Sequence, residues 1–409
     1  MRTKYQPLES LKEGRWFKLI CGASYQHLPS IQNLALAYTL AGADCIDVSA
    51  DPAVVEAVKA SFRLISDLRQ NEELMVRHGM PLPTALPWLM VSFSDGDDPH
   101  FRKATFDPAQ CPADCPRPCE AICPAAAIAF TPSSAGVIAE RCYGCGRCLP
   151  VCPPQHIDTI TRATSVGDIA PALLGQVNAV EIHTQVGRYD AFMALWQTLR
   201  PHVADLQLIS ISCPDAPGVV SYLWQLYEGI QPLSVPLIWQ ADGRPMSGDI
   251  GKGTTHATLR FAQKLLHAGP PGFVQLAGGT NAHTVSKLPS LGRGQAVEKG
   301  AIAPSPHPTF GGIAYGSFAR QLLSPLLDQA PVLRADAVST APRSLFHQCH
   351  DAHDFETALS GLQAAVSLAR GLVAPLKAGG DLPQSAFRAP WGHAFASFEA
   401  LTEPPRTPI

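Results

Sequence analysis

Residues 178–229 read NAVEIHTQVGRYDAFMALWQTLRPHVADLQLISISCPDAPGVVSYLWQLYEG, and this stretch decides the fold. NAVEIHT (178–184) is a short apolar run with polar residues at every second position, the signal of a strand. A helical pattern follows over 189–200, then a second strand, LQLISIS (206–212), and a second helix over 218–229. Strand and helix alternate with turns between them, which predicts parallel strands joined by helical crossovers.

The same alternation runs outward in both directions. Downstream lie strand 235–240 (VPLIWQ), helix 255–268, strand 272–277 (GFVQLA), helix 283–290, a last strand near 311–315 and helix 316–328. Upstream lie strand 16–21 (WFKLIC), helix 30–41 with Ser30 as its N-cap and Gly42 at its end, and strand 44–49 (DCIDVS). A helix then opens at Asp51-Pro52 and runs to about residue 70, before strand 87–93 (PWLMVSF). Eight such units fit a closed (β/α)8 TIM-like barrel better than a doubly wound open sheet, which is the alternative, and ~250 residues is the usual size of a barrel. The expected division is 1–94 as the first part of the barrel, 95–161 as an insertion and 162–330 as the remainder. Residues 331–409 add a helix within 353–376 and a Pro-rich tail.

Composition narrows the function. With 46% hydrophobic and 16% charged residues the chain is built to bury a core. A formal net charge of −3 offers no footprint for nucleic acid or an anionic membrane. The first twenty residues lack the apolar core of a signal peptide, and no run approaches ~18 consecutive apolar residues, so membrane insertion is not expected. The expected location is cytoplasmic. Twelve cysteines in that setting argue for metal or cluster use rather than disulfides.

Eight of the twelve fall inside the insertion. Cys142-Tyr-Gly-Cys145-Gly-Arg-Cys148-Leu-Pro-Val-Cys152-Pro153 has the bacterial ferredoxin spacing C-x2-C-x2-C-x3-C-P. Gly144 and Gly146 permit the tight loop that lets three thiolates converge. Zinc is the plain alternative, but zinc sites usually draw ligand pairs from separated segments. The first run, Cys111, Cys115, Cys119 and Cys123, opens with two three-residue gaps and keeps the C-x3-C-P ending. Two [4Fe–4S] clusters are expected. By the ferredoxin rule, in which the fourth cysteine of each run serves the other cluster, Cys152 joins Cys111, Cys115 and Cys119, and Cys123 joins Cys142, Cys145 and Cys148. Cys21, Cys45, Cys213 and Cys349 are single and read as small buried hydrophobes.

Inside a barrel two further features stand out. Strand 7 runs into Gly278-Gly279, and the last strand into Gly316-Ser317 at a helix start. Loops after these strands commonly hold phosphate in such barrels, so a phosphorylated ligand such as flavin mononucleotide is a candidate; glycine used only for tight turning is the alternative. Lys18, Asp47 with Ser49, Glu181 with His183 and Gln185, Ser210 with Ser212, and Gln240 with Asp242 alternate along their strands and can meet inside the barrel. They suit proton transfer or a polar ligand, or else simply form a salt-bridged floor. No catalytic residue is assigned. Gly251-Lys252-Gly253-Thr254 resembles a P-loop but lacks its first glycine, with Met246 in that place, and the hydroxyl after lysine.

RWFKLICGASYQHLPSIQNLALAYTLAGADCIDVSADP (15–52), the two cysteine runs and QADGRPMSGDIGKGTTHATLRFAQKLL (240–266) make nearly the whole chain resemble the cyanobacterial light-dependent period protein family, LdpA. The resemblance implies an iron–sulfur protein that senses cellular redox state and relays light-dependent information to the circadian clock through clock-input and clock proteins. AGADCIDVSADP is also similar to a plastid and cyanobacterial barrel family of unknown activity. Two readings follow. The family favours a non-enzymatic redox sensor, while the glycine ends of the last two strands favour an oxidoreductase passing electrons to a flavin or phosphorylated ligand. A scaffold role in a larger electron-transfer complex is weaker, because nothing in the sequence names a partner for it.

Overall fold

The computed structural model describes residues 7–69, 72–80, 82–96, 101–123, 125–131, 134–161, 172–244, 251, 253–291, 307–327 and 352–378. In chain order it begins with α1 (Pro7–Lys12), β1 (Trp16–Gly22), α2 (Leu28–Ala41), β2 (Cys45–Ser49), α3 (Pro52–Leu68), α4 (Glu72–Arg77) and β3 (Trp88–Ser94). Short strands β4 (Arg102–Thr105), β5 (Ile128–Thr131), β6 (Ser134–Val137) and β7 (Asp158–Thr161), with α5 (Pro118–Ile122), make up the insertion. There follow β8 (Ala179–His183), α6 (Tyr189–Leu199), β9 (Leu208–Pro214), α7 (Val219–Gly229), β10 (Leu237–Asp242), α8 (Thr255–Ala268), β11 (Phe273–Ala277), β12 (Thr309–Tyr315), α9 (Ser317–Leu327) and α10 (Ala352–Lys377).

Strands β1, β2, β3, β8, β9, β10, β11 and β12 pair in parallel in that order, and β12 returns to β1, closing a barrel of eight. The expected (β/α)8 architecture therefore holds, and the open-sheet alternative does not. Alternation along the strands sorts side chains by face. Outward residues such as Phe17, Leu19, Val91, Ile182 and Ile211 pack under the helices. Inward residues stack in layers. The bottom layer is apolar: Trp16, Cys45, Met90, Ala179, Leu208 and Ile238 form one cluster, plugged by Leu11 of α1.

One step up, the layer turns polar and closes on itself. Lys18, with no exposed surface, bridges Glu181 and Asp47, the latter at 3.2 Å. Ser210 Oγ donates to Glu181 at 2.7 Å, Gln240 Nε2 to Glu181 at 2.9 Å, and Ser92 Oγ to Asp47 at 2.8 Å. Gln275 Nε2 donates to Gln240, and Trp16 Nε1 ties the chain of contacts to the layer below through Gln275 Oε1 at 2.7 Å. Burial alone would discharge Lys18, but Glu181 and Asp47 raise its pKa well above the ordinary lysine value. Burial pushes Asp47 up to about 6 against the pull of Lys18. Burial also opposes ionisation of Glu181, yet Lys18 and His183 hold its carboxyl well below the usual range.

Two local expectations need correcting. Ser30 does not cap α2: the helix starts at Leu28 with Pro29 in its first turn, and Ser30 Oγ meets His27 Nδ1 at 2.6 Å instead. Residues 283–290 do not form an α-helix, because Pro289 sits in a 3-10 segment, Val285–Leu291. Asp51 does cap α3, accepting from the amides of Ala53 and Val54. α10 lies against α2 and α9 and buries Leu362, Val366 and Val373. Its residues Leu359–Lys377 are long and apolar enough to cross a membrane by length and composition, but half of that window is buried inside the fold. The Pro-rich tail and Cys349 lie outside the described residues.

Lys18→Met removes the counter-charge from two buried carboxylates. It is expected to cost about 3–5 kcal/mol in urea unfolding at neutral pH; a loss below about 1 kcal/mol would show that the middle layer does not depend on the ammonium.

Candidate functional site

The insertion leaves the barrel after β3 and is built as two similar halves. β4 pairs antiparallel with β7, and β5 with β6. In each half a strand leads to a cysteine run, and a second strand follows. After Cys123 and after Cys152 the chain makes the same turn: the Ala126 amide donates to the Cys123 carbonyl at 3.2 Å, and the Gln155 amide to the Cys152 carbonyl at 3.0 Å. Ala126 and Gln155 both take left-handed backbone angles there. Five residues beyond each of these cysteines an isoleucine, Ile128 or Ile157, is buried in the small core between the halves.

This pairing exchanges cysteines between runs. Cys111 is within electrostatic reach of Cys115 and Cys152, and Cys119 of Cys111 and Cys152. Cys148 is within reach of Cys145, Cys142 and Cys123. The eight thiols thus gather as two groups of four, each with three members from one run and one from the other. All eight are free thiols. Among the described residues no three His, Cys, Asp or Glu side chains converge tightly enough to grip one ion. Tetrahedral zinc, with Zn–S bonds of ~2.3 Å, needs sulfurs only about 3.8 Å apart. The second group instead surrounds a recess that is also lined by Ala104, Ala127 and Tyr143.

Electrostatics at these sulfurs asks for a cation. Burial first, and neighbouring thiols second, push Cys148 up to about 12 and raise Cys111. Backbone amides work the other way. Ala127 N–H donates to Cys123 Sγ at 3.2 Å and Ala104 N–H to Cys142 Sγ at 3.3 Å, while the Arg147 amide favours the Cys145 thiolate. Gly144 and Gly146, both with positive φ, turn the loop that carries these cysteines. Four thiols crowded together with amides aimed at sulfur form a donor set that an iron–sulfur core would complete, its positive charge stabilising the thiolates.

The module docks on the C-terminal mouth of the barrel. Tyr143, between two cysteines of the second run, is buried in the barrel's main core, where Cys145 also packs. Its ring meets Tyr25 edge-on at 5.9 Å and lies under the Arg320 guanidinium at 4.1 Å. Gln26 N–H donates to the Glu140 carbonyl, and Lys103 Nζ to Gln26 Oε1, both near 3 Å. Below this contact lies a recess of about 650 Å³. Gly278, Gly279, Gly316 and Ser317 line it, with Glu181, His183 and Asp242 in its floor. Of the alternating strand residues, Glu181, His183, Gln240 and Asp242 line this recess, while Lys18, Asp47 and Ser210 belong to the layer below it. The Ser49 hydroxyl turns to the Tyr25 carbonyl at 3.2 Å, and Gln185 lies past the end of β8.

Three contributors escaped the sequence reading: Tyr143, Arg320, and the pair Thr254 and Thr258. The two threonines bond the carbonyls of Gly279 and Gly278. Their spacing of four on a helix start was the available signal. Cys21 and Cys213 are buried and pushed up by burial, Cys21 to about 12. Cys45 sits in the barrel's bottom layer. Met246 and Lys252 lie outside the described residues.

The family model described as "Light dependent period A C-terminal domain" matches residues 173–375, and "LdpA Fe-S cluster-binding domain" matches 111–163. A protein named Light dependent period A from Synechococcus elongatus is 50% identical over 372 residues, covering 91% of this chain and 94% of that relative. Among solved structures, the tandem GH20 catalytic modules of a pneumococcal exo-β-D-N-acetylglucosaminidase, StrH, align over 89% of this chain and 100% of that one. The TM-score is 0.27 and the identity 10%, a likeness too slight to carry an argument.

At Gly279, φ is +107° and an added Cβ would stand 2.8 Å from the Thr254 carbonyl oxygen. Gly279→Ala is therefore expected to cost more than about 1 kcal/mol in chemical denaturation. Gly253→Ala, where no atom of the described residues beyond its chain neighbours lies within 4 Å of an added Cβ, should stay within about 0.5 kcal/mol of the parent.

Proposed function

The chain belongs to the light dependent period A family, and from that premise we propose that it is a cytoplasmic iron–sulfur redox sensor serving the light-dependent period of a circadian clock. Two [4Fe–4S] clusters are its redox centres. Cys111, Cys115, Cys119 and Cys152 hold one, and Cys123, Cys142, Cys145 and Cys148 the other. When bound, each cluster supplies a one-electron couple whose charge changes without movement of heavy groups. Clock-input and clock proteins are the partners. Neither nucleic acid nor membrane insertion enters this reading.

The observation that carries it is the position of Tyr143. This residue belongs to the loop between Cys142 and Cys145, yet its ring is packed into the barrel under Arg320. A change of charge at the neighbouring thiolates alters the field on that guanidinium, which is hydrogen-bonded to the Ile20 carbonyl at 2.7 Å and to Ser317 at the start of α9. The first group of cysteines, with Cys111 and Cys115 partly exposed, offers the entry side for an electron carrier.

A second reading rests on the same residue. Tyr143 lines both the recess beside Cys123, Cys142, Cys145 and Cys148 and the recess in the barrel mouth. That continuity favours an oxidoreductase in which electrons pass to flavin mononucleotide or another phosphorylated ligand in the barrel. A stoichiometric yellow chromophore, extracted from cluster-replete protein, would decide for it.

Anaerobically purified protein is expected to carry about eight iron and eight acid-labile sulfides per chain. Cys152→Ser should remove the same half of the reduced-state electron paramagnetic resonance signal as Cys115→Ser, and Cys123→Ser the same half as Cys145→Ser. Zinc without sulfide sinks the cluster assignment. Affinity for a clock-input protein, measured with oxidised and with dithionite-reduced samples, should differ by at least about fivefold; equal affinities remove the sensor reading.

A further inference from the structure

The barrel mouth holds groups that the cluster module does not use. Thr258 Oγ1 lies within hydrogen-bond reach of the Ala277 and Gly278 carbonyls, the latter at 2.7 Å, and Thr254 Oγ1 of the Gly251 and Gly279 carbonyls, at 2.8 and 2.7 Å. A trans peptide is planar, with its N–H opposite its C=O. Drawing these two carbonyls back onto the start of α8 therefore turns the N–H groups of Gly279 and Thr280 the other way, toward the mouth. Among the described residues neither amide donates to a backbone carbonyl. Facing them, α9 opens at Ser317, and its first-turn amides have no acceptors within the helix. Both loops line the same recess.

Arg320 adds the charge that two amide-bearing loops alone lack. Its side chain lines the recess and is only 6% exposed. Nη1 is fixed by the Ile20 carbonyl and Nη2 by Ser317 Oγ, while Nε has no acceptor among the described residues. An arginine locked in place with one buried donor left over, between the amides of Gly279 and Thr280 and that of Ser317, is a site prepared for an anion. The floor is already paired: Glu181 is held by Lys18, Ser210, Gln240 and His183, and Asp242 accepts from Ser212.

We propose that the barrel mouth binds the phosphate group of a small phosphomonoester. The phosphate lies among the amides of Gly279, Thr280 and Ser317 beside Arg320. The assignment rests on the barrel-ligand reading above and gives that ligand its chemical class and its contacts. It also sets the ligand against the buried face of Tyr143, next to the cysteine loop.

Inorganic phosphate is the probe, used with the cluster-loaded full chain in equilibrium dialysis and in hydrogen exchange. One saturable site is expected, with slower amide exchange in peptides covering 278–281 and 316–320. Arg320→Gln should weaken phosphate binding by at least about tenfold, while Arg320→Lys, which keeps the charge, should retain part of it. Absence of saturable binding overturns the proposal, as does protection confined to other segments. If Arg320→Gln fails to fold, the exchange pattern of the parent protein still decides. Phosphate binding is read without any electron transfer, so a negative result here is distinct from a failure of the barrel to accept electrons.

Discussion

A single ammonium at the centre of the barrel, that of Lys18, is the constraint on which the rest of the structure depends. No water reaches it, so it must be neutralised by protein groups, and Glu181 and Asp47 come from strands far apart in sequence. Their positions fix strand register, because a one-residue slip would face Phe17 inward and send Lys18 under the helices. Every other group in the layer then answers to the same charges through Ser92, Ser210 and Gln240. The layer seals an apolar bottom from a polar top. Anything the barrel binds must therefore enter at the C-terminal mouth.

The cysteine module covers part of that mouth, and the joint between them is made by few, specific contacts. Tyr143 supplies the apolar anchor, Arg320 the cation above its ring, and Gln26 a polar bridge to Glu140, Lys103 and Asp51. Phe101 sets its ring edge-on against His183, 5.4 Å away, so the module also touches the floor residues. The two halves of the molecule consequently share side chains across their joint.

How much of this could be read from sequence depends on the range of the interaction concerned. Strand alternation placed Glu181, His183, Ser210 and Gln240 on one face, because period two is a local property, and closure of eight units then brought the faces together. The spacing within each cysteine run is likewise local, over a dozen residues, while the exchange of Cys123 and Cys152 between runs is not and was expected only from the ferredoxin rule. Other features were not local. Arg320 matters only because it meets Tyr143, 177 positions earlier in the chain, and nothing in either neighbourhood points to the other. Ser30 looked like a cap because hydroxyls favour that place, but Pro29 in the first turn set the start of the helix earlier. Pro289 turned an apparent helical stretch into a 3-10 segment by the same kind of local veto.

The insertion joins the barrel through a narrow neck. β4 and β7 run antiparallel, with Arg102 opposite Thr161, so the chain enters and leaves the module at neighbouring points. Asp95, just after β3, is bound to Arg188 and Thr184 of the next barrel unit, which steadies the stem from below. The module therefore occupies a single loop of the barrel and leaves the order of its eight strands unbroken, so the closed sheet and the cysteine pair of half-modules are two structures joined at one doorway.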